Sequence, residues 1–320
     1  MPRPPLNARV SDATLFVGSL MSGGDKDISL AAGPSLTRAR APLAPSAAAA
    51  ALVVKAAAAL DLLDVKNSDD SPSSESASAI RTIRALVAAA AAGGGILPFL
   101  DTLDATRLRL VCSSLCAAVT VFPWFDMGTR IQGSLHAWRT CFPCARAASV
   151  RGRTELVDSD FVHFAGIAAL DMGGIAPRGC AAGITDAAFA HLRGVSRLWM
   201  PQCGSVRITE RALDAIAGIR ELDISFCSQF PDSAFARIAG IHTLIAGGCM
   251  QLTDGAMEHL AGIHTLSLFG CRQATLTSSA FKSLRGIKEL VVYDTNEDLI
   301  KAASALLAEG RETGRDALTN

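Results

Sequence analysis

A repeated pattern of glycine and leucine is the feature of this sequence that most limits its possible folds. Six units each open with glycine, continue with isoleucine or valine, and place a leucine four residues after the glycine. Successive opening glycines are 28, 24, 22, 22 and 24 residues apart, which is the spacing of stacked-coil (solenoid) proteins. The glycines are Gly166, Gly194, Gly218, Gly240, Gly262 and Gly286, and the leucines are Leu170, Leu198, Leu222, Leu244, Leu266 and Leu290. Such units bury their apolar residues only by stacking on one another.

Each unit combines a strand pattern with a helix pattern. In the first half, apolar residues alternate with polar ones, as in Leu222 and Ile224, which predicts a short strand. In the second half, Leu252, Met257 and Leu260 recur near helical spacing behind a Thr-Asp pair that can cap helix amides, which predicts a short helix. One strand and one helix of this size cannot bury their apolar faces alone, so neighbouring units must share one core.

Four units carry a cysteine five residues after the key leucine, at Cys203, Cys227, Cys249 and Cys271. At the turn that leaves a strand, a small and weakly polar side chain can pack inward and meet backbone groups that the sheet leaves unpaired. We therefore expect these thiols to be structural, and not redox-active or catalytic.

The strand, the cysteine and helical halves such as LTDGAMEHLAG and ITDAAFAHLRG resemble the cysteine-containing class of leucine-rich repeats. The resemblance covers Gly166 to about Asp294, and LVDSDFVHFAG at 156–166 matches the helical half of one earlier unit. It implies an α/β solenoid in which a curved parallel sheet lines the concave side and helices lie on the convex side. The concave side of such a solenoid usually binds protein.

Strand positions that point away from the core predict the target-binding residues of the concave face. They are Asp171, Trp199, Asp223, Ile245, Phe269 and Tyr293, together with Ser267 and Val291. The three aromatic side chains among them have no packing role in the array, and aromatic anchors dominate binding hot spots. Scattered exposed aromatic residues also occur without a function, so target contact is a hypothesis for them.

A second motif lies ahead of the repeats, between Ile96 and Trp124. Apolar residues at helical spacing predict a helix with one apolar stripe after a short acidic turn at 101–104, within a helical hairpin. The stripe consists of Leu108, Val111, Cys112, Leu115 and Val119. The stretch FLDTLDATRLRLVCSSL resembles the second half of an F-box. The matching residues are Phe99, Leu100, Asp101, Asp104, Leu108, Arg109, Leu110, Val111, Cys112 and Trp124.

The F-box resemblance implies docking on a Skp-type adaptor, which links such proteins to a cullin ubiquitin ligase. The implied adaptor-binding residues are Leu97, Pro98, Leu100, Leu108, Leu110 and Val111. Three glycines at 93–95 stand where the family has its first helix, and each destabilises a helix by about 1 kcal/mol relative to alanine. The alternative for this segment is a helical cap that shields the end of the repeat core.

Together the two motifs resemble the substrate-recognition subunits of Skp/cullin-type ubiquitin ligases, which hold a target protein on the concave repeat face. The alternative is a leucine-rich-repeat scaffold for protein interactions that has a helical N-terminal cap and no role in ubiquitin transfer. An enzyme using its own cysteine is a third hypothesis, but the sequence does not assemble a nucleophile, a base and an orienting group. The single Cys141-x-x-Cys144 motif lacks a second pair for zinc, so no catalytic residue, metal or cofactor is expected.

Four regions are expected along the chain. Residues 1–80 are rich in Ala, Pro and Ser and are expected to be largely disordered, with a helix near 47–65. Residues 81–145 form the helical F-box-like segment, and residues 146–310 form the repeats with a closing helix at 296–309. A disordered tail is expected at 311–320.

Charge and cysteine content limit the partners and the compartment. The chain has 30 basic and 30 acidic residues, so it lacks the electrostatic footprint of a nucleic-acid-binding protein. Its nine cysteines are an odd number at repeat spacing, which indicates reduced thiols and a cytoplasmic or nuclear protein. No stretch has the character of a membrane span, and a monomer is expected outside the ligase complex.

Overall fold

The computed structural model describes residues 14–16, 97–110, 113–174 and 183–316. These residues belong to two compact units, each described by itself: a helical unit within residues 22–149, and a repeat unit formed by residues 1–21 and 150–320. The predicted helix near 47–65, Val111 and Cys112 lie outside the described residues, and so does most of the tail at 1–80. Within the described ranges, no helix combines the length and the apolar character that crossing a bilayer requires.

In its described residues, the helical unit contains three short α-helices. After a 3₁₀ turn at Leu97–Phe99, its elements are α1 (Thr102–Arg109), α2 (Ser113–Val121), α3 (Leu135–Cys141) and a strand, Ala147–Ser149. The predicted acidic turn is the start of α1, because the Asp101 carboxylate accepts a hydrogen bond from the Asp104 backbone N–H at 2.8 Å and caps the helix.

The predicted apolar stripe is divided between two helices. Helix α1 ends at Arg109, where the Leu110 N–H donates to the Arg107 carbonyl oxygen at 3.2 Å in a tighter turn, and α2 begins at Ser113. Leu108, Leu115 and Val119 are all buried. The helical hairpin with an apolar interior is therefore confirmed, and the single continuous helix is wrong.

Trp124 anchors the core of the helical unit. Its side chain is buried, and its Nε1 donates to the Val119 carbonyl oxygen at 2.8 Å. The indole meets the ring of Phe142 edge-on, with 5.7 Å between centroids. The Trp124 carbonyl oxygen also accepts from the Ala147 N–H, so the terminal strand is tied to the same core.

Among the described residues of the repeat unit, seven parallel strands form one sheet. They are β1 (Thr14–Phe16), β3 (Ala169–Asp171), β4 (Arg197–Trp199), β5 (Glu221–Asp223), β6 (Thr243–Ile245), β7 (Thr265–Ser267) and β8 (Glu289–Val291), where the strand Ala147–Ser149 of the helical unit counts as β2. Strands β3 to β8 pair in chain order, and the backbone of β1 pairs with β8. The six key leucines, from Leu170 to Leu290, lie in one register row and are fully buried. The predicted strands and core row are confirmed.

Short helices return the chain from one strand to the next. In the described residues these segments contain three α-helices, α4 (Asp186–Phe189), α5 (Glu210–Ala215) and α6 (Asp254–Glu258). They also contain four 3₁₀ helices, Asp158–Phe164, Ala190–Leu192 directly after α4, Asp232–Ile238 and Ser278–Ser283. Each return segment is followed by the glycine that opens the next unit, with φ between +79° and +86°. Glycine recurs there because residues with a Cβ rarely adopt that conformation.

An aspartate–threonine ladder joins successive return segments. The Thr185 hydroxyl caps α4 by accepting from the Ala187 N–H, as predicted. In addition, the Thr185 N–H and Oγ1 both donate to the carboxylate of Asp158 in the preceding coil, each at 2.7 Å. The same bonds link Thr209 to Asp186, Thr253 to Asp232, and Thr277 to Asp254. Pro231 has neither donor, and the coil before it carries Glu210 in place of aspartate.

The four repeat cysteines pack inward as predicted, with exposed fractions of 0–2%. Each thiol faces a backbone carbonyl oxygen of the preceding coil. The Sγ to oxygen distances are 3.8 Å for Cys203 to Met172, 3.3 Å for Cys227 to Met200, 3.1 Å for Cys249 to Ile224, and 3.4 Å for Cys271 to Ala246. The thiols therefore connect neighbouring coils.

Helix α7 (Glu297–Asp316) follows the last strand. It is longer than the predicted closing helix at 296–309 and continues into the range expected to be a disordered tail. Asn296 accepts from the Leu299 N–H at 2.8 Å at its start, and Leu299 and Ala303 are buried. The helix therefore presents an apolar side to the last coil.

Candidate functional site

The sheet of the repeat unit has one face of outward side chains, which we call the open face. In each of the strands β3 to β8, the middle residue points into the core, and the first and third residues belong to the open face. The second residue after each strand continues this alternation and also belongs to the open face. Five of the predicted target-binding residues are partly exposed there: Trp199, Asp223, Ile245, Phe269 and Tyr293. Val291 is also partly exposed, on β8. Trp199, Asp223 and Ile245 are register neighbours on β4, β5 and β6.

Asp171 and Ser267 differ from the other predicted contact residues because they are buried, with exposed fractions of 5% and 3%. The Asp171 carboxylate folds back and accepts a hydrogen bond from the Gly173 N–H at 3.0 Å. Pro201 packs so closely on Gly173 that a Cβ there would lie 2.5 Å from its Cδ. Asp171 therefore contributes charge beneath the open face and little contact area.

Trp199 is held in place by a carboxylate on the neighbouring strand. Its Nε1 donates to Glu221 Oε1 at 2.7 Å, which fixes the indole on the open face. Asp223 lies next to Trp199 in register, and its Oδ1 accepts from the Ser225 N–H and hydroxyl. Burial raises the pKa of Asp223, and the charges of Asp171 and Glu221 raise it further, while the Ser225 hydrogen bonds lower it.

Three aromatic rings form a second group, which we call the aromatic cluster: Phe226, Phe269 and Tyr293. The rings of Phe269 and Tyr293 stack with 5.5 Å between centroids, and Phe226 meets Phe269 edge-on at 5.7 Å. Glycines allow this arrangement, because a Cβ at Gly247 would lie 2.1 Å from Phe269 and one at Gly248 would lie 2.4 Å from Phe226. The rings therefore rest directly on the backbone of the coil between them.

The sequence did not point to Phe226 as a functional residue. It has φ of +61° and is 48% exposed, which is unusual for a bulky side chain. The equivalent positions in the two following coils are Gly248 and Gly270, which adopt φ of +66° and +69°. The sequence signal that could have identified Phe226 is a phenylalanine at a position that favours glycine. Backbone strain of this kind tends to persist at functional sites.

The structure separates the predicted adaptor-binding residues into buried and exposed groups. Leu97 and Leu108 are buried in the helical unit, with exposed fractions of 3% and 0%, and Leu100 is half-buried. Pro98 is exposed, and Leu110 is 71% exposed. Val111 lies outside the described residues. Pro98 and Leu110 are therefore the predicted residues with free surface, and Leu97 and Leu108 support the core.

Leu103 is a further exposed apolar residue that the sequence analysis missed. It is 55% exposed and lies seven residues before Leu110, the residue that caps the end of α1, so helical spacing brings the two side chains to the same side. The reason for the omission is that residues 101–104 were assigned to a turn, where helical spacing does not apply. Once Asp101 is recognised as the helix cap, the spacing of the two leucines becomes informative.

Burial disfavours the nucleophilic thiolate form of two described repeat cysteines, Cys249 and Cys271. Burial raises the pKa of Cys249 to about 12 and also raises the pKa of Cys271. In the part of the chain that the structure describes, no three histidine, cysteine or acidic residues come together in a way that could hold a metal ion. Cys144 is exposed and Cys141 is half-buried.

Comparison with known proteins finds similarity at the level of solved structures. Neither a protein-family profile nor a curated protein matches this sequence. The complex of TLR13 with ssRNA13 matches 59% of this chain at 15% identity and a TM-score of 0.43, and the Drosophila Toll–Spatzle complex matches 57% at 15% identity and 0.39. The leucine-rich-repeat protein LegL7 from Legionella pneumophila matches 59% at 13% identity and 0.37.

The matched regions cover 28% of the first two chains and 70% of LegL7. These identities and TM-scores are low, so the fold assignment rests on this chain's own geometry. Its parallel three-residue strands, one leucine row and one helical return per coil make the repeat unit an α/β leucine-rich-repeat solenoid.

Proposed function

We propose that this chain is the target-recognition subunit of a Skp/cullin-type ubiquitin ligase. The observation that carries the proposal is the exposed pair Leu103 and Leu110 in a segment that resembles an F-box, on the same chain as an open repeat face. The first surface would attach the chain to a Skp-type adaptor, and the second would hold the target protein.

The pair on α1 has the form of a helix-docking surface. Leu103 and Leu110 are separated by two helical turns, and Arg107 is exposed between them, where its guanidinium donates to Asp104 at 3.1 Å. Burial of one leucine contributes about 1.5–3 kcal/mol to an interface. Apolar and guanidinium side chains at helical spacing are the kind of anchors that helix-in-groove recognition uses.

The open face has the form of a target-binding surface. Trp199 and the aromatic cluster are oriented by hydrogen bonds and ring contacts within the repeat unit, so little ordering remains to be done on binding. Tryptophan and tyrosine are among the residues that most often dominate binding energy at protein interfaces. Protein recognition is therefore the role that these side chains support.

Titration of the purified full chain with the Skp-type adaptor of its own organism tests the proposal. The double variant Leu103→Asp, Leu110→Asp removes two apolar contacts without disturbing buried residues, so we expect at least about 100-fold weaker adaptor binding by calorimetry. The matched control is Val206→Asp, because Val206 is 89% exposed and lies in the repeat unit. A folded wild-type chain that fails to bind the adaptor, or a double variant that binds like wild type, contradicts the proposal.

A second candidate is a leucine-rich-repeat scaffold for protein interactions with no role in ubiquitin transfer. It is favoured by the burial of Leu97 and Leu108, two residues on which the adaptor-binding resemblance depends. In that case α1 serves the core of its own unit, and only the open face binds a partner. The same titration separates the candidates, because a scaffold leaves the adaptor unbound.

A further inference from the structure

The outward side chains of the sheet are unevenly charged. Of the twelve first and third positions in β3 to β8, four carry carboxylates and one carries a cation. The carboxylates are Asp171, Glu221, Asp223 and Glu289, and the cation is Arg197. Three of the carboxylates lie on β3 and β5, the strands on either side of Trp199. We call Asp171, Trp199, Glu221 and Asp223 the acidic cluster.

The carboxylates of the acidic cluster repel one another in the free protein. Asp171 and Asp223 share a register row with Trp199 between them, so their strands are about 9.6 Å apart. Burial is the main reason that the pKa of Asp223 is raised, and the charges of Asp171 and Glu221 raise it further. Because the carboxylates are partly shielded from water, a cation brought by a partner gains more from them than it would from exposed carboxylates.

Trp199 adds a second attraction for a cation. Its Nε1 is held by Glu221, so the orientation of the ring is set before a partner arrives. A guanidinium or ammonium group is attracted to the face of an indole, and tryptophan is the strongest of the aromatic rings in this respect. Arg197 lies on the same strand and is the register neighbour of Glu221, whereas Asp171 and Asp223 are the register neighbours of Trp199.

The aromatic cluster supplies an apolar contact at a fixed distance from the acidic cluster. Trp199 lies on β4, and Phe269 lies two residues beyond the Trp199 register row on the β7 coil, so three strand spacings and two residues separate them by about 16 Å. An extended segment rises about 3.3 Å per residue, so it crosses this distance in four to five residues. Phe226, whose backbone φ is positive, belongs to the aromatic cluster at the end of this segment.

We infer that the open face binds an extended protein segment that carries an arginine or lysine and, about four to five residues away, a large apolar side chain. The basic residue docks on Trp199 among the carboxylates, and the apolar residue docks on the aromatic cluster. This inference rests on the proposed role of the open face as the target-binding surface, and it specifies the chemistry of the target.

A basic row borders the sheet at the amino-terminal ends of its strands and favours the opposite charge. It consists of Arg220, His242, His264 and Lys288, and the two imidazole rings stack with 4.4 Å between centroids. These residues precede β5 to β8, whereas Trp199 lies at the far end of β4. An acidic segment would therefore bind along this border and would not reach the indole.

Selection from a displayed library of random peptides, with the full-length chain as bait, tests the inference. We expect enriched peptides to carry a basic and a large apolar residue at the stated spacing. The variant Glu221→Gln, Asp223→Asn keeps the acceptor oxygens of both side chains, so the local hydrogen bonds remain. It should lower the affinity for an enriched peptide by about tenfold or more. The control Glu258→Gln, Asp298→Asn removes equal charge from exposed helical positions and should have no effect.

The other outcomes separate the inference from the proposed function. Two outcomes overturn the basic-target inference and leave target binding on the open face intact. In the first, the enriched peptides lack basic residues. In the second, their affinity is unchanged by the charge variant but falls with Phe269→Ala. Enrichment of acidic peptides also overturns it, in favour of the basic row. Peptides insensitive to every open-face variant, or no enrichment by a folded chain, contradict the open face as the target site altogether.

Discussion

The reactivity and the role of a side chain in the repeats depend on whether it points into the core or outward. Cys249 points inward, where burial raises its pKa to about 12 and its thiol contacts the Ile224 carbonyl oxygen. A thiol with that pKa stays protonated at neutral pH and is a poor nucleophile. Phe226 points outward at a position where the two following coils have glycine. The first residue serves the core, and the second serves the surface.

Alkylation of the folded chain at neutral pH should distinguish these thiols. We expect iodoacetamide to modify Cys144, which is exposed, while the four repeat cysteines stay unmodified until denaturant is added. Mass spectrometry of proteolytic peptides gives the extent of modification at each site. Rapid modification of Cys249 in the folded chain would contradict its assigned packing role and would revive the hypothesis of a catalytic cysteine.

Replacement of Phe226 by glycine should change the free energy of unfolding by less than about 1 kcal/mol. The loss of a half-exposed ring is offset by relief of a left-handed backbone, which costs a residue with a Cβ about 1–2 kcal/mol. The comparison variant is Phe235→Ala, which removes a fully buried ring and should cost about 3–5 kcal/mol. Urea denaturation measures both, and a Phe226→Gly loss as large as that of Phe235→Ala would mean that Phe226 is a core residue.

The helices and strands of the repeat unit are stabilised by contacts between each coil and the coil before it, such as the aspartate–threonine ladder. The strands could be predicted because their pattern is local: apolar residues alternate within one unit. The ladder could not, because a Thr-Asp pair reads as a local helix cap, and its acceptor Asp158 lies 27 residues before Thr185. The break between α1 and α2 also escaped prediction, because Leu108 to Val119 keep helical spacing across it.

Removal of one ladder carboxylate should destabilise the repeat unit. Asp186 accepts from the Thr209 N–H and hydroxyl at 2.7 Å, so Asp186→Ala leaves two partly buried donors without that acceptor. We expect a loss of about 1–3 kcal/mol in the free energy of unfolding. Asp298→Ala is the control, because Asp298 is an exposed first-turn aspartate of α7. Equal effects of the two substitutions would show that the ladder adds nothing beyond the helix dipole.

Each of the two units of the molecule has a candidate binding surface, and the sequence predicted which side chains point outward better than it predicted their burial. The repeat period was sufficient to place Trp199 and Phe269 on the open face, because strand alternation decides which side chains point outward. The Asp171 carboxylate folds back onto the Gly173 N–H, a contact that no periodicity reveals. Likewise, the face formed by Leu103 and Leu110 required the start of α1 to be known.

Reconstitution with a Skp-type adaptor and a cullin is the most direct test of the proposed function. Size-exclusion chromatography with light scattering should show the full chain, the adaptor and the cullin eluting as one stoichiometric complex. The Leu103→Asp, Leu110→Asp variant should elute alone, and Val206→Asp should join the complex like wild type. Elution of a folded wild-type chain apart from the adaptor would contradict the ubiquitin-ligase role and leave the chain as a leucine-rich-repeat interaction scaffold.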